Sequence, residues 1–280
     1  MRTLRYVLID VFTDRALTGN ALAVFTDGRG LDATTQQAIA RELNLSETVF
    51  VFPPEAGGQA KIRIFTPSIE LPFAGHPTLG SAIVMGGPLQ RSDLQLETGK
   101  GLVRVRLERE GARIVFGWME QPLPEIRPFP RGPELLDALR LKSSDLPIEE
   151  YDNGPRHAIV VLSEPEQVAA LAPDLARLAS DFPLVVSVAA RSGSQCNTRV
   201  FAPYAGVAED PATGSAAGPL ALHLARHGRL AYGESLEISQ GIELGRPSKL
   251  FAIVHGSPEH LERIEVGGSA VSIGRGELRL

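Results

Sequence analysis

At 280 residues, 43% apolar and 22% charged, the chain can bury one large core or two of ordinary domain size, as a soluble globular protein does. A net charge of −5 leaves no basic excess to release counterions, which argues against a nucleic-acid surface. No run of about 18 apolar residues is present to span a membrane as a helix, and the single Cys196 excludes an internal disulfide and any multi-cysteine metal site.

In chain order, Arg5–Val11 and Asn20–Phe25 read as strands, the second following the turn residues Thr18-Gly19-Asn20. Asp10 interrupts the N-terminal apolar run too early for a signal peptide, and with one cysteine a reducing cytoplasm is the expected compartment. Residues 32–43 form a helix that Asp32 can cap, and Asn44-Leu-Ser-Glu-Thr-Val-Phe-Val-Phe52 is a tight exit into a strand with Glu47 at its entrance. Lys61–Thr66 is the next strand. His76–Met85 is a short apolar helix with Pro77 in its first turn, where the missing N–H costs nothing. Strands 94–97, 102–107 and 113–119 follow. The proline-rich stretch Gln121–Pro133 marks a boundary between residues 1–128 and 129–280. In the second part, strands 157–162 and 182–188 enclose short helices at 164–171 and 173–179, and strand 198–202 leads into the helix Pro211–Arg226. That helix is rich in Ala and Gly without a polar stripe, so sheet should enclose it. Gly228 suits its C-terminal cap. Strands near 235–239, 249–254, 263–266 and 270–274 close the chain.

The chain contains one phrase twice. Arg63-Ile-Phe-Thr-Pro67 leads to Gly75-His-Pro-Thr-Leu-Gly-Ser-Ala82, and Arg199-Val-Phe-Ala-Pro203 leads to Glu209-Asp-Pro-Ala-Thr-Gly-Ser-Ala216. The arginines are 136 residues apart and the Gly-Ser pairs 134. Two similar halves facing each other are therefore expected, each a strongly curved sheet around one buried helix. The first turns of those helices offer unpaired N–H groups and the positive end of a dipole, which suit a small carboxylate. Gly75, Gly80, Gly214, Thr213 and Ser215 are small enough to let a ligand reach the backbone. The matching polar positions are His76 and Asp210.

Glu47 lies sixteen residues before Arg63, whereas Pro183 lies sixteen before Arg199, so the second half offers no matching acid or base. One carboxylate, one histidine and one aspartate suit a single base that takes a proton and returns it elsewhere. His157, His223, His227, His255 and His260 read as structural. His223 and His227 are four apart but lack a third ligand in the sequence, so no metal is expected. Gly28-Arg-Gly30 does not continue as a dinucleotide loop.

At Asp10-x-Phe, Gly19-Asn20-x-x-Ala-Val-Phe25, Asn44-Leu-Ser-Glu-Thr-x-Phe50, Arg63-Ile-Phe-Thr-Pro67, Leu71-Pro-Phe-Ala-Gly-His-Pro77 and Glu209–Ala216, the chain resembles the phenazine-biosynthesis isomerase (PhzF-like) family. Tyr151-x-Asn-Gly-Pro-Arg-His157, Gly218–Gly228 and Gly241-x-Glu-x-Gly-Arg-Pro-Ser248 are similar to its phenazine-pathway members in particular. The resemblance implies an α+β, diaminopimelate-epimerase-like fold of two pseudo-symmetric halves. It also implies a cofactor-free isomerase of trans-2,3-dihydro-3-hydroxyanthranilate, usually a homodimer. Glu47 would be the general acid/base, moving a proton from C3 to C1 of the ring, with His76 and Asp210 assisting. Gly75, Gly214 and Ser215 match substrate-binding positions, to which the residue-level reading adds Thr213. An amino-acid racemase on this fold would use a cysteine from each half; here those places hold His76-Pro77 and Asp210-Pro211. A family member acting on another small carboxylic acid, and an idle binding protein, are the other readings.

Overall fold

The computed structural model describes residues 2–280. Its first part runs β1 (Thr3–Val11), β2 (Asn20–Phe25), α1 (Ala33–Leu43), β3 (Glu47–Phe52), β4 (Ala60–Phe65), β5 (Glu70–Leu71), α2 (Gly75–Leu89), β6 (Asp93–Thr98), β7 (Gly101–Glu110), β8 (Arg113–Gln121) and β9 (Glu125–Pro128). The second part runs α3 (Gly132–Leu139), β10 (Glu149–Asp152), β11 (Arg156–Leu162), α4 (Pro165–Ala169), α5 (Leu175–Asp181), β12 (Val185–Ser192), β13 (Gln195–Ala202), a tight helical turn Pro203–Ala205, β14 (Val207–Asp210), α6 (Gly214–Arg226), β15 (Ser235–Gln240), β16 (Ser248–Gly256), β17 (Leu261–Gly268) and β18 (Ala270–Arg279).

Strand pairing repeats with the sequence. β2 lies parallel to β3, β3 antiparallel to β4, and β4 both antiparallel to β5 and parallel to β6. β11, β12, β13, β14 and β15 follow the same pattern. The two closing strands are exchanged: β9 pairs with β10, the first strand of the second repeat, and β18 pairs along its length with β1. β8 also pairs with β17, which joins everything into one mostly antiparallel sheet system. The repeated arginines occupy equivalent places. Arg63 pairs with Glu70 at 2.6 Å and Arg199 with Glu209 at 2.7 Å. Each guanidinium lies over the phenylalanine two residues further on.

The central helices fit their sequences. α6 is buried from Gly214 to Ala225, as its small, stripe-free composition requires, and the first turns of α2 are buried from Gly75 to Ala82. One apolar cluster extends from Ile9 through Leu79, Leu220 and Val266; each fully buried large side chain in it contributes about 1.5–3 kcal/mol. A second cluster lies under α3, α4 and α5, and a third under α1. Asp32 caps α1 by accepting from the Thr35 N–H.

Several boundaries differ from expectation. α2 runs on to Leu89: Pro88 forfeits one intrahelical bond without ending the helix, which stops where Gln90 turns left-handed. α6 starts at Gly214 rather than Pro211, because Asp210 still belongs to β14 opposite Val200. α3 begins inside what read as linker: Pro133 opens its first turn rather than breaking the chain. No helix among the described residues is long and apolar enough to cross a membrane.

Candidate active site

The starts of α2 and α6 meet. A Cβ on Gly75 would lie 2.5 Å from the backbone of Gly214 and Ser215, so only glycine allows this approach. Neither helix has a side-chain cap, which leaves its first-turn N–H groups free for an anion. Phe12 is held at φ 63° and packs its ring against Gly214, where a Cβ would approach the ring to 2.9 Å. Gln121 donates to the Gly214 carbonyl at 2.6 Å and Asn153 to that of Ser215 at 2.9 Å. The first turn of α6 is thereby braced from β8 and from the loop after β10. Gly80 has a packing role instead, facing Leu22 and Val11.

Glu47, His76 and Asp210 converge here from β3, α2 and β14. Glu47 Oε2 lies 3.4 Å from His76 Nδ1, and all three residues are buried. Burial, with the nearby Asp210 charge, pushes Glu47 well above the ordinary carboxylate range. Burial also raises Asp210 to about 6, against the opposing hydrogen bonds of Thr213, Ser46 and Asn20. It holds His76 down to about 3, so the ring is neutral. Thr213 donates its hydroxyl to Asp210 Oδ2 at 2.6 Å and thus orients the acid. Gln240 braces the same loop, donating to the Asp210 carbonyl at 2.7 Å and accepting from the Thr213 N–H at 3.1 Å.

Glu47, Thr66, Asp210, Thr213, Ser215 and Tyr204 line a cavity of about 30 Å³, with otherwise apolar walls and, among the described residues, no lysine or arginine. A water needs about 10–15 Å³ measured this way, so the cleft is nearly shut. A larger groove of about 340 Å³ beside Phe12 and Lys249 contains none of Glu47, His76 or Asp210. Asn20, Ser46, Gln240 and Tyr204 were not singled out as site residues in the sequence. Asn20 stood in a quoted motif but read as a strand start.

Two histidines acquire a partner that spacing could not reveal. Glu149 Oε2 lies 3.2 Å from His223 Nδ1 and 3.1 Å from His227 Nε2, within reach of a shared cation. Arg226 Nη1 at 2.7 Å and the Tyr151 hydroxyl at 2.9 Å donate to the same oxygen, so protein donors already saturate it. Cys196 is buried, and its thiol is pushed up to about 12, out of reach of thiolate chemistry at neutral pH.

Fold and site together define a class: a two-repeat scaffold that brings a buried carboxyl group, Glu47, to the point where two uncapped helix starts meet. The chain belongs to the PhzC-PhzF family, described as phenazine biosynthesis-like protein, whose model matches residues 9–276. It is 48% identical over 275 residues to the trans-2,3-dihydro-3-hydroxyanthranilate isomerase of Pseudomonas chlororaphis, covering 98% of this chain and 99% of that one. A predicted epimerase from Pseudomonas aeruginosa superposes with a TM-score of 0.83 at 32% identity, over 98% of this chain and 99% of the other. A phenazine biosynthesis protein of the PhzF family from Bacillus anthracis shares the fold over the whole of both chains, at a TM-score of 0.86 and 24% identity.

Proposed function

We propose that the protein is a trans-2,3-dihydro-3-hydroxyanthranilate isomerase that works by single-base proton transfer. The observation that carries this reading is one buried carboxylate, Glu47, facing a cleft whose other ionisable neighbours among the described residues are His76, Asp210 and Tyr204. The name of the 48% identical relative supports the substrate.

The ring carboxylate sits against the N–H groups at Gly75, Gly214 and Ser215, helped by the Ser215 hydroxyl. That placement matches the uncapped helix starts and the lack of a cationic side chain in the cleft. Asp210, held by Thr213, faces the amino and hydroxyl groups. The nearly closed cavity requires the two parts of the chain, 1–128 and 129–280, to separate for entry. While the cleft is open, water keeps Glu47 ionised. Closing strips that water, raises the proton affinity of the carboxylate and turns it into a stronger base against C3–H. Glu47 takes the C3 proton, the electron pair moves through the diene, and the same proton is returned at C1. The resulting dienol tautomerises to the aminoketone. No electron or group leaves the molecule, so the step needs no carrier, and the enzyme is cofactor-independent. Family resemblance adds a homodimer to the proposal, and the single Cys196 adds a reducing, cytoplasmic location.

The experiment is incubation with trans-2,3-dihydro-3-hydroxyanthranilate in heavy water, followed by absorbance and mass spectrometry. Loss of the diene band in the wild type and its persistence with Glu47→Gln are expected, with turnover down by about 10²-fold or more. A fully active Glu47→Gln enzyme ends the single-base mechanism. An inactive wild type that still binds small carboxylates moves the reading to another substrate on the same site.

A further inference from the structure

The cavity beside Glu47 holds few side-chain donors that the protein has not already spent. Thr66 gives its hydroxyl hydrogen to the Ile69 carbonyl at 3.2 Å, and Thr213 gives its own to Asp210 at 2.6 Å. Glu47 and Asp210 present carboxyl groups, so the hydroxyls of Ser215 and Tyr204 remain. Ser215 belongs to the start of α6, where the substrate carboxylate is held. Tyr204 comes from elsewhere, the tight turn Pro203–Ala205 between β13 and β14.

Its place is not repeated. Tyr204 stands five residues after Arg199, whereas the residue five after Arg63 is Ser68, which is exposed and does not line the cavity. The turn is set against the first repeat all the same. Gly206 closes it at φ 84°, and a Cβ there would come within 2.6 Å of Ser68 Oγ. The Tyr204 ring is half-buried against Val185, Val200 and Ala216. Burial and the Glu47 charge push the phenol upward against the pull of Arg156, so it keeps its hydrogen at neutral pH. Among the described residues no acceptor takes that hydrogen, although a tyrosine hydroxyl that leaves water ordinarily finds a partner.

We propose that Tyr204 is a specificity-determining residue that touches the substrate, donating its hydroxyl to the C3 oxygen of trans-2,3-dihydro-3-hydroxyanthranilate. The inference rests on the proposed substrate and on Glu47 as the base. Each polar group of that molecule needs a partner in the shut cleft. The carboxylate takes the helix-start N–H groups and Ser215. The amine, an ammonium near neutral pH, can only donate and suits Asp210. The C3 hydroxyl both donates and accepts. It gives its hydrogen to Asp210 and keeps a lone pair for a donor. That oxygen sits on the carbon whose hydrogen Glu47 removes, so the donor must lie close to Glu47. Tyr204 shares the small cavity with Glu47 and feels its charge. A ligand without the C3 oxygen leaves the phenol unpaired, and a site built to bond a hydroxyl rejects such an analogue.

The test uses two aromatic analogues, 3-hydroxyanthranilate and anthranilate, which differ only in that hydroxyl. By titration calorimetry the wild type is expected to bind the first about tenfold more tightly. In Tyr204→Phe, which keeps the packed ring, the preference should fall to about twofold, with the affinity for anthranilate unchanged. Turnover of trans-2,3-dihydro-3-hydroxyanthranilate by this variant should show a matching rise in KM of about tenfold. A preference that survives in Tyr204→Phe, or an equal weakening of both ligands, overturns the proposal. So does a loss confined to kcat, which would mean that the phenol serves Glu47 instead. In each of these cases a wild type that turns over the substrate leaves the substrate reading standing. A wild type that binds neither analogue and leaves the substrate unchanged overturns that reading and this assignment together.

Discussion

Glu47 is a carboxyl whose placement costs the fold stability. Its proton affinity is raised in the folded protein, so its contribution is fully present below the ordinary carboxylate range and is lost as pH rises toward its folded value. Glu47→Gln removes that dependence. The variant should melt at the wild-type temperature near pH 4 and progressively above it toward pH 8, with each kcal/mol recovered worth about 2–4 °C. Calorimetry across that range checks this, and a gap that narrows with pH would show that Glu47 is not raised. Glu47, His76 and Asp210 were legible because the repeated phrase flagged two of them and broke its symmetry at the third. Asn20 and Ser46 were not: each reaches Asp210 across a long stretch of sequence, and neither position looks unusual locally. Glu149 was hidden for the same reason, since 74 residues separate it from His223.

At the scale of elements, the contact between the starts of α2 and α6 controls whether the site can assemble. A methyl group at Gly75 collides with peptide atoms of Gly214 and Ser215, which are backbone and cannot rotate aside. Gly75→Ala should keep the far-ultraviolet circular dichroism of the wild type while kcat/KM falls by about 10²-fold, the scale of a 1 Å misplacement at a reacting centre. Wild-type kinetics in this variant would mean that the helix starts need not touch during turnover. Long elements with strong patterns, such as α1 with its Asp32 cap and the enclosed α6, were readable. β5, β9, β10 and β14 are only two to four residues long, too short for any period to register, and they exist because longer neighbours pair with them. β14 matters most among these, since it carries Asp210 and delays the start of α6.

Across the whole molecule, the repeats are tied by exchange as well as by contact. Arg246 reaches back from the loop before β16 to Asp10 at 2.7 Å and to the carbonyls of Thr18 and Gly19, around an acid that is fully buried. Arg246→Gln leaves that carboxylate unpaired and should cost about 3 kcal/mol in urea unfolding, partly recovered by adding Asp10→Asn. A loss no larger in the single variant than in the double would show that the pair adds nothing beyond packing. The sequence repeat predicted two similar halves, but nothing in its residues said that β9 and β18 would trade places, because pairing partners are chosen by geometry over long separations. The exchange of β18 has a consequence for synthesis. As the chain leaves the ribosome, β1 emerges long before its partner β18: Arg5 and Glu277, which pair across that edge, are 272 residues apart. At about 5–20 residues per second, that edge waits roughly ten to fifty seconds for its neighbour. The nascent protein carries an open strand throughout, so chaperones that shield β edges should govern its yield more than the stability of the finished enzyme does.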